Sequence, residues 1–374
     1  MVVQMNSVSP QGSILDQAES CTLLHRGGEA DVYAIKAHGN ELVLKWYGRE
    51  NRFDESVVTT LEHLNIPGLY RIRESGRREN TAYLLYDFVP GASSVDVSPM
   101  PVAVALSLLR ELGRTLDALA HRDVHHGDLN PTNVVICPSK DGALAVLIDC
   151  GIVGPGALAY AAPERFQGKP ASVKGDLFSI ALMLFYWISG RNLLEASDFD
   201  GYAAQSASID SVDVTGILYG TGMFSVEELS AMTPLWQSLL RSDPDERAED
   251  FDELDELLEI ALSALEVGDV RLRLQLQQFS KEVVEKKSEL KIPPDAPCNE
   301  KAAFPYRKKG AHSPKKNRKI IFLGIFGLIL LLVALWYAFG TKSPDIDATG
   351  NLLLEKSRNL ESVDTEDDIL RGTP

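Results

Sequence analysis

Hydrophobic and polar positions change period several times along the chain. Residues 23–35 read as strand, tight turn and strand, with Gly27 and Gly28 at the turn, and residues 41–47 as a third strand. Residues 84–89 form another strand-like run that stops at the breaker Pro90-Gly91. The period then lengthens: Val104, Leu106, Leu109, Leu112, Leu116 and Leu119 predict a helix over 102–122. Two further strands are expected, over 134–136 and 145–148. Residues 269–290 point both ways, because Val270, Leu272, Leu274 and Leu276 alternate like a strand while the charged run after them favours a helix. Residues 320–339 carry no charge. Twenty residues at helical rise reach about 30 Å, so this stretch predicts a membrane-crossing helix, with Trp336 and Tyr337 in an interfacial belt.

Length and charge sharpen this outline. The 374 residues allow two or three domains, and 45% hydrophobic with 24% charged residues is globular composition. That excludes a disordered chain, a collagen-like repeat and a polytopic transporter. The net charge of −16 argues against a nucleic-acid partner. It is unevenly spread: residues 301–319 hold eight basic residues and no acid, and 341–374 hold four basic and eight acidic ones, which leaves 1–300 at −20. A basic collar on the N-terminal side of an apolar span places that side in the cytoplasm and the last residues outside. The collar is expected to touch anionic lipid, and Pro293, Pro294, Pro297, Pro305 and Pro314 make 291–318 read as an extended linker. Cys21, Cys137, Cys150 and Cys298 are too scattered for a zinc knuckle or a redox pair.

The chemistry sits in three places. A glycine turn between strands lets backbone N–H groups approach a phosphate, and Lys45 inside an apolar strand offers a cation to hold over it. His126-Gly127-Asp128-Leu129-Asn130-Pro131-Thr132-Asn133 places a carboxylate and an amide five residues apart, just before a strand. The next strand ends at Asp149-Cys150-Gly151. Phosphoryl transfer asks for this set: Asp128 to orient a hydroxyl and accept its proton, and Asn133 and Asp149 as hard oxygen ligands for Mg²⁺.

With these motifs in order, residues 20–265 resemble the eukaryotic-like protein kinases, as found in bacterial single-pass membrane Ser/Thr kinases. Ala162-Pro163-Glu164 matches the family's APE triplet, and Arg247 the arginine that pairs with its glutamate. Asp176-Leu177-Phe178-Ser179 resembles the start of the central buried helix. The resemblance implies an α+β bilobal fold, with a β-rich N-lobe (20–89) and a helical C-lobe (90–265). Around it lie an extension (1–19), a connector and linker (266–319), one transmembrane helix (320–339) and an acidic tail (340–374). It implies ATP and Mg²⁺ as cofactors. Gly27, Gly28 and Lys45 would meet the phosphates, Val32, Val43 and Val135 would sandwich adenine, and Asp87 and Val89 would form the hinge. Asp128, Lys45 and Asn130 would be catalytic, and Asn133 and Asp149 would hold metal. Protein hydroxyls are the implied substrate. Input would come from a partner in the membrane or a second copy.

The chain also departs from the family. His25 and Ala30 stand where two loop glycines are usual, and Glu55 is the chosen partner for Lys45 on the N-lobe helix. Gly127 replaces an arginine that often reads an activation-loop phosphate, and 152–161 contain no Ser or Thr. Activity is therefore expected without Ser/Thr phosphorylation there, Tyr160 being the one hydroxyl. Asn130 replaces a lysine and would donate to the γ-phosphate without charge. Two other readings stand beside an active kinase: a pseudokinase scaffold, and a small-molecule phosphotransferase sharing the His-Gly-Asp loop.

Overall fold

The computed structural model describes residues 13–27, 30–47, 55–78, 81–150 and 156–289. Its first half is built from β1 (Ser20–Arg26), β2 (Ala30–Ala37), β3 (Asn40–Tyr47), α1 (Glu55–Glu62), β4 (Ile72–Arg78) and β5 (Thr81–Asp87). The strands form one antiparallel sheet in the order β1-β2-β3-β5-β4. Side chains alternate across a strand, so this sheet has two working faces. Val43, Tyr47, Leu84 and Tyr86 join the main core, while Ile35, Leu42, Leu44, Tyr83 and Leu85 form a second cluster on the opposite face. Leu15, on a single 3₁₀ turn at Ile14–Gln17, covers that second cluster. The turn is pinned by the Glu74 carboxylate, which accepts from Ile14 N at 2.6 Å and from Tyr83 Oη at 2.6 Å. Residues 13–17 of the expected extension therefore complete the N-lobe.

The larger lobe comprises β6 (Ala92–Ser93), α2 (Val102–Ala120), β7 (Val134–Ser139), β8 (Gly142–Leu147), α3 (Pro163–Phe166), α4 (Val173–Ser189), α5 (Phe199–Ala207), α6 (Val214–Gly220), α7 (Val226–Leu239), α8 (Phe251–Ala264) and α9 (Asp269–Glu289). α4 is apolar nearly all round, which is why it runs through the centre of the lobe. Ser172 caps its start by accepting from Gly175 N, and Gly190 ends it in the left-handed region at φ 71°. α2 lies against α4 and α8, tied to the latter by Arg110, whose guanidinium meets Asp255 at 2.8 and 2.9 Å.

Two expectations change here. Residues 269–289 are helical, because Leu276, Phe279 and Val283 recur at helical spacing and pack on β7 and β8, while the alternating Val270 and Leu274 face solvent. Gly142, at φ 128°, makes room for them: a Cβ there would stand 2.6 Å from Leu276 Cβ. The fold class is also corrected. The described residues form the bilobal α+β architecture, and none of their helices is long and apolar enough to cross a membrane. The span expected over 320–339, the basic collar and the acidic tail lie outside the described residues.

One buried ion pair ties α3 to the loop before α8. Arg247 meets Glu164 through Nη1–Oε1 at 2.6 Å and Nη2–Oε2 at 2.8 Å, with the two side chains 0% and 5% exposed. Its other donors reach the carbonyls of Arg241, Lys174 and Ser242, and the guanidinium lies 4.9 Å from the Phe178 ring centroid. Every hydrogen-bonding need of the arginine is thus met inside the lobe. Replacing it leaves a buried carboxylate without its counter-charge, which costs about 3–5 kcal/mol. Arg247→Ala is therefore expected to lower the stability from urea unfolding by that amount. Glu164→Gln combined with Arg247→Met should lose clearly less than Arg247→Ala alone.

Candidate active site

The loop between α2 and β7 is held from below by one carboxylate. Asp176, in the first turn of α4, is buried and accepts from His126 N at 2.8 Å and Gly127 N at 2.9 Å. Burial pushes its carboxyl up, opposed by His126 and by the two backbone donors. His126 fastens the same loop to the strand beyond it: Nε2 lies 3.1 Å from Ile148 O, and Nδ1 accepts from Asp128 N at 3.2 Å. Gly127 sits at φ 72°, and a Cβ there would fall 2.8 Å from Ala171 Cβ. Backbone sign and space both explain why the usual arginine is missing at this position.

Three neutral donors surround Asp128. Its Oδ1 accepts from Ala157 N at 2.7 Å and from Asn130 Nδ2 at 3.1 Å, and its Oδ2 from Asn133 Nδ2 at 3.2 Å. Asn130 is 3% exposed. Its amide nitrogen also reaches Asp128 O at 3.0 Å, and its oxygen accepts from Thr132 N at 3.0 Å. The structure therefore places Asn130 as a brace of the loop beside Asp128. Gly156, at φ 70°, lets the chain close over the carboxylate: a Cβ there would stand 2.5 Å from Asp128 Oδ1.

Asp149 follows β8 in the left-handed region at φ 61°, a conformation Asp tolerates better than bulkier residues. Its Oδ2 is 2.5 Å from Lys45 Nζ, an ion pair crossing between the lobes with both side chains largely buried. Its Oδ1 is buried and has no hydrogen-bond partner among the described residues. An anionic oxygen left this way suits a cation. Asn133 uses its nitrogen on Asp128 O at 2.8 Å and on Asp128 Oδ2, which leaves its amide oxygen as the ligating atom. No group of three His, Cys, Asp or Glu side chains among the described residues could hold a metal by itself. A Mg²⁺ held by Asn133 and Asp149 would thus need phosphate oxygens to complete its shell, as that ion commonly does.

The nucleotide-facing expectations fall on both lobes. Lys45 pairs in register with Val32 on β2 and Leu84 on β5, and Val43 with Tyr86. Val135, on β7, belongs to the other lobe and touches the hinge end, where a Cβ on Gly91 would meet Val135 Cγ1 at 2.7 Å and Ile136 O at 2.3 Å. At the hinge, Asp87 pairs with Arg73 at 2.6 Å and Val89 O accepts from Gly91 N. Gly27 makes a tight turn by donating to Ala30 O at 3.0 Å, and Gly28 lies outside the described residues. Glu55 is a correction: its side chain is 66% exposed and pairs with Arg77 at 2.7 Å, away from Lys45. Behind the ion pair stand three buried tyrosines instead, Tyr47, Tyr70 and Tyr86. Burial first pushes the Tyr70 and Tyr86 hydroxyls well above the usual tyrosine range, helped by Cys150 and then Asp149 at Tyr70 and by Asp149 at Tyr86.

Sequence reasoning missed Asp176 as the anchor of the loop and Ala157 as a donor to Asp128. The first had a signal, a lone acid at the head of an apolar helix. The second had none, because a main-chain N–H carries no residue identity. A hydrogen bond to a charged group contributes roughly 1.5–3 kcal/mol. In Asp128→Ala, hydrogen exchange of the Ala157 amide should therefore rise about tenfold or more, read by exchange-resolved NMR on the full chain.

Comparison with known proteins places this geometry. The protein kinase domain family model matches residues 20–259. The chain is similar to the serine/threonine-protein kinase pkn2 of Myxococcus xanthus, 29% identical over 274 residues that cover 65% of this chain and 32% of that protein. It is similar also to the probable serine/threonine-protein kinase PknB of Lactococcus lactis, at 26% identity over 49% of this chain and 32% of that protein. The chain thus spans about a third of the length of these relatives. Its fold is shared with the PknI kinase domain of Mycobacterium tuberculosis, at TM-score 0.53, 17% identity, 65% of this chain and 96% of that one. Rad53 in complex with AMP-PNP gives TM-score 0.54 at 21% identity, covering 67% of this chain and 66% of that one. From β1 to α8, the motifs, the loop geometry and the matched family agree, and the chain belongs to the protein kinase family.

Proposed function

We propose that the chain is an active protein Ser/Thr kinase that moves the γ-phosphoryl group of ATP to hydroxyls of other proteins. One observation carries this reading: Lys45 pairs with Asp149, Asn133 donates to Asp128, and the main chain joins the two pairs where Ile148 N, next to Asp149, donates to Asn133 O at 2.9 Å. The relatives' names and the AMP-PNP in the Rad53 complex support the same chemistry. The substrate hydroxyl oxygen attacks the γ-phosphorus, the bond to the β-bridging oxygen breaks, and the proton goes to Asp128. Ala157 N and Asn130 Nδ2 hold Oδ1, so Oδ2, with its one longer hydrogen bond, is the oxygen that takes the proton. Lys45 exchanges Asp149 for phosphate oxygens. Asn133 and Asp149 would hold magnesium, which would supply charge neutralisation on the transferring group.

A second reading, a pseudokinase scaffold, is favoured by a specific finding: no carboxylate of α1 reaches Lys45 among the described residues, Glu55 being engaged with Arg77. Labelled ATP and Mg²⁺ with the full chain separate the two. Transfer to protein Ser or Thr that falls at least 100-fold in Asp128→Ala supports the kinase. Nucleotide binding without transfer supports the scaffold. Asn130→Ala should lower kcat with little change in the KM for ATP, since Asn130 acts through Asp128. A raised KM with unchanged kcat would assign it to phosphate contact instead.

The same reading includes activity without activation-loop phosphorylation. Residues 152–161 hold no Ser or Thr, and Tyr160 is buried, its hydroxyl bonded to Asn192 Oδ1 at 2.6 Å. Phosphatase treatment should leave the rate unchanged, and mass spectrometry should find no phosphate there. We also propose work at an anionic membrane surface, because eight basic residues lie in 301–319 at about 1 kcal/mol each near such a surface. Co-sedimentation with phosphatidylserine vesicles that survives neutralisation of those residues would refute a role for them.

A further inference from the structure

We infer that Tyr70 is a positioning residue for Asp149: its buried hydroxyl takes hold of that carboxylate once Lys45 lets go of it to meet the phosphates. The moment of use rests on the kinase reading above; the contact itself does not. The first observation is a hydroxyl without work. Tyr70 is 4% exposed, and its Oη has no hydrogen-bond partner among the described residues. Other tyrosines of this fold are paired: Tyr83 Oη donates to Glu74 Oε1 and Tyr160 Oη to Asn192 Oδ1, both at 2.6 Å. An idle buried hydroxyl weakens the resting fold, and phenylalanine would fill the same space without that cost.

The second observation is where the main chain puts it. Tyr70 N donates to Leu147 O at 3.0 Å, and Leu147 N to Gly68 O at 2.7 Å, so residues 68–70 are laced to the last residue of β8. Asp149 follows two residues later, within about 7 Å along the chain. The Tyr70 ring is held edge-on to Tyr86, with centroids 5.1 Å apart. Asp149 is near enough to act on the hydroxyl: after burial and Cys150, its negative charge helps to push Tyr70 well above the usual tyrosine range. The hydroxyl thus keeps its proton and remains a donor.

The third observation is the carboxylate's own need. Asp149 Oδ2 is held by Lys45 at 2.5 Å, while Oδ1 is buried and has no hydrogen-bond partner among the described residues. When Lys45 turns to phosphate, neither oxygen keeps a protein partner from this set. A magnesium ion would use one of them. The other then needs a donor, because a buried carboxylate oxygen left alone is costly. A neutral hydroxyl suits this better than a second cation, since it orients the carboxylate without repelling the metal.

The test is a double-mutant cycle on the full chain without nucleotide, read by the urea midpoint. Lys45→Met keeps the length of the side chain in its apolar strand and removes the ammonium. With Lys45 present, Tyr70→Phe should leave the midpoint unchanged or raise it. In the Lys45→Met background the same change should lower it by roughly 0.5 M, the scale of a lost hydrogen bond to a charged group. Tyr86→Phe, the control, should act alike in both backgrounds. An equal effect of Tyr70→Phe in the two backgrounds overturns the proposal, because a purely structural tyrosine would behave that way. So does a Lys45→Met chain that fails to fold with Tyr70 intact, since the hydroxyl would then not have taken up the carboxylate. A second measurement uses the natural lysine: calorimetric binding of AMP-PNP should weaken about threefold or more in Tyr70→Phe with Mg²⁺ and stay unchanged without it. Equal weakening with and without Mg²⁺, or none, counts against Tyr70. Absence of nucleotide binding to the unmutated chain defeats the kinase reading instead, and the urea cycle still decides the contact.

Discussion

The working arrangement rests on a buried carboxylate that is not itself part of the chemistry. Asp176 enters the apolar interior because α4 is the central rod of the lobe, and a charge at that depth is tolerated only when it is fully engaged. Its two oxygens accept from two successive backbone N–H groups, His126 and Gly127. That contact fixes the direction in which the chain leaves the loop, and so fixes where Asp128 stands. His126 then transmits the position to Ile148, one residue before Asp149. The proton acceptor and the metal-facing carboxylate are therefore set by one network with α4 at its root. The Glu164–Arg247 pair holds the neighbouring segment to the same helix through the carbonyl of Lys174.

Around Asp128 the structure uses dipoles where the family commonly uses a full charge. Asn130 stands for a lysine, and Ala157 contributes through its main chain. A neutral donor orients a carboxylate without adding a nearby positive charge, which would favour its ionised form. Asp149, by contrast, shares a cation directly with Lys45. The two carboxylates thus sit in different surroundings a short way apart, one steered by amides and one countered by an ammonium. Such a division suits one group that handles a proton and another that handles cations.

Much of this was legible beforehand, for reasons that differ residue by residue. Lys45 stood out as a cation inside an apolar strand, and Asp128, Asn133 and Asp149 because two carboxylates and an amide at two adjacent strand ends rarely fall together by chance. Glu164 with Arg247 was legible only through the resemblance, as 83 residues separate them. The lysine's partner was not legible. α1 is eight residues long, and its first-turn Glu55 turns outward to Arg77. The 269–289 helix was ambiguous because a short alternating run of apolar residues fits either period. Only its contacts with β7 and β8 select the face that Phe279 and Val283 bury.

The segment over Asp128 shows what kind of control such a site admits. Where an arginine in the loop reads a phosphate, the charge of the modification sets the loop's position, and removing it releases the loop. Here Gly127 leaves no side chain to read anything, and Gly156 allows the main chain to approach until Ala157 N donates directly to Asp128. A main-chain donor is present whenever the segment is folded. Tyr160 anchors the far side of that segment, buried and bonded to Asn192, with Ser179 on α4 donating to its carbonyl at 2.8 Å. Order in the segment therefore depends on packing against α4 and on backbone geometry at two glycines. On the proposed reading, regulation of such a kinase has to act on whether the lobes or their partners come together, since the loop over the carboxylate offers no charge to switch.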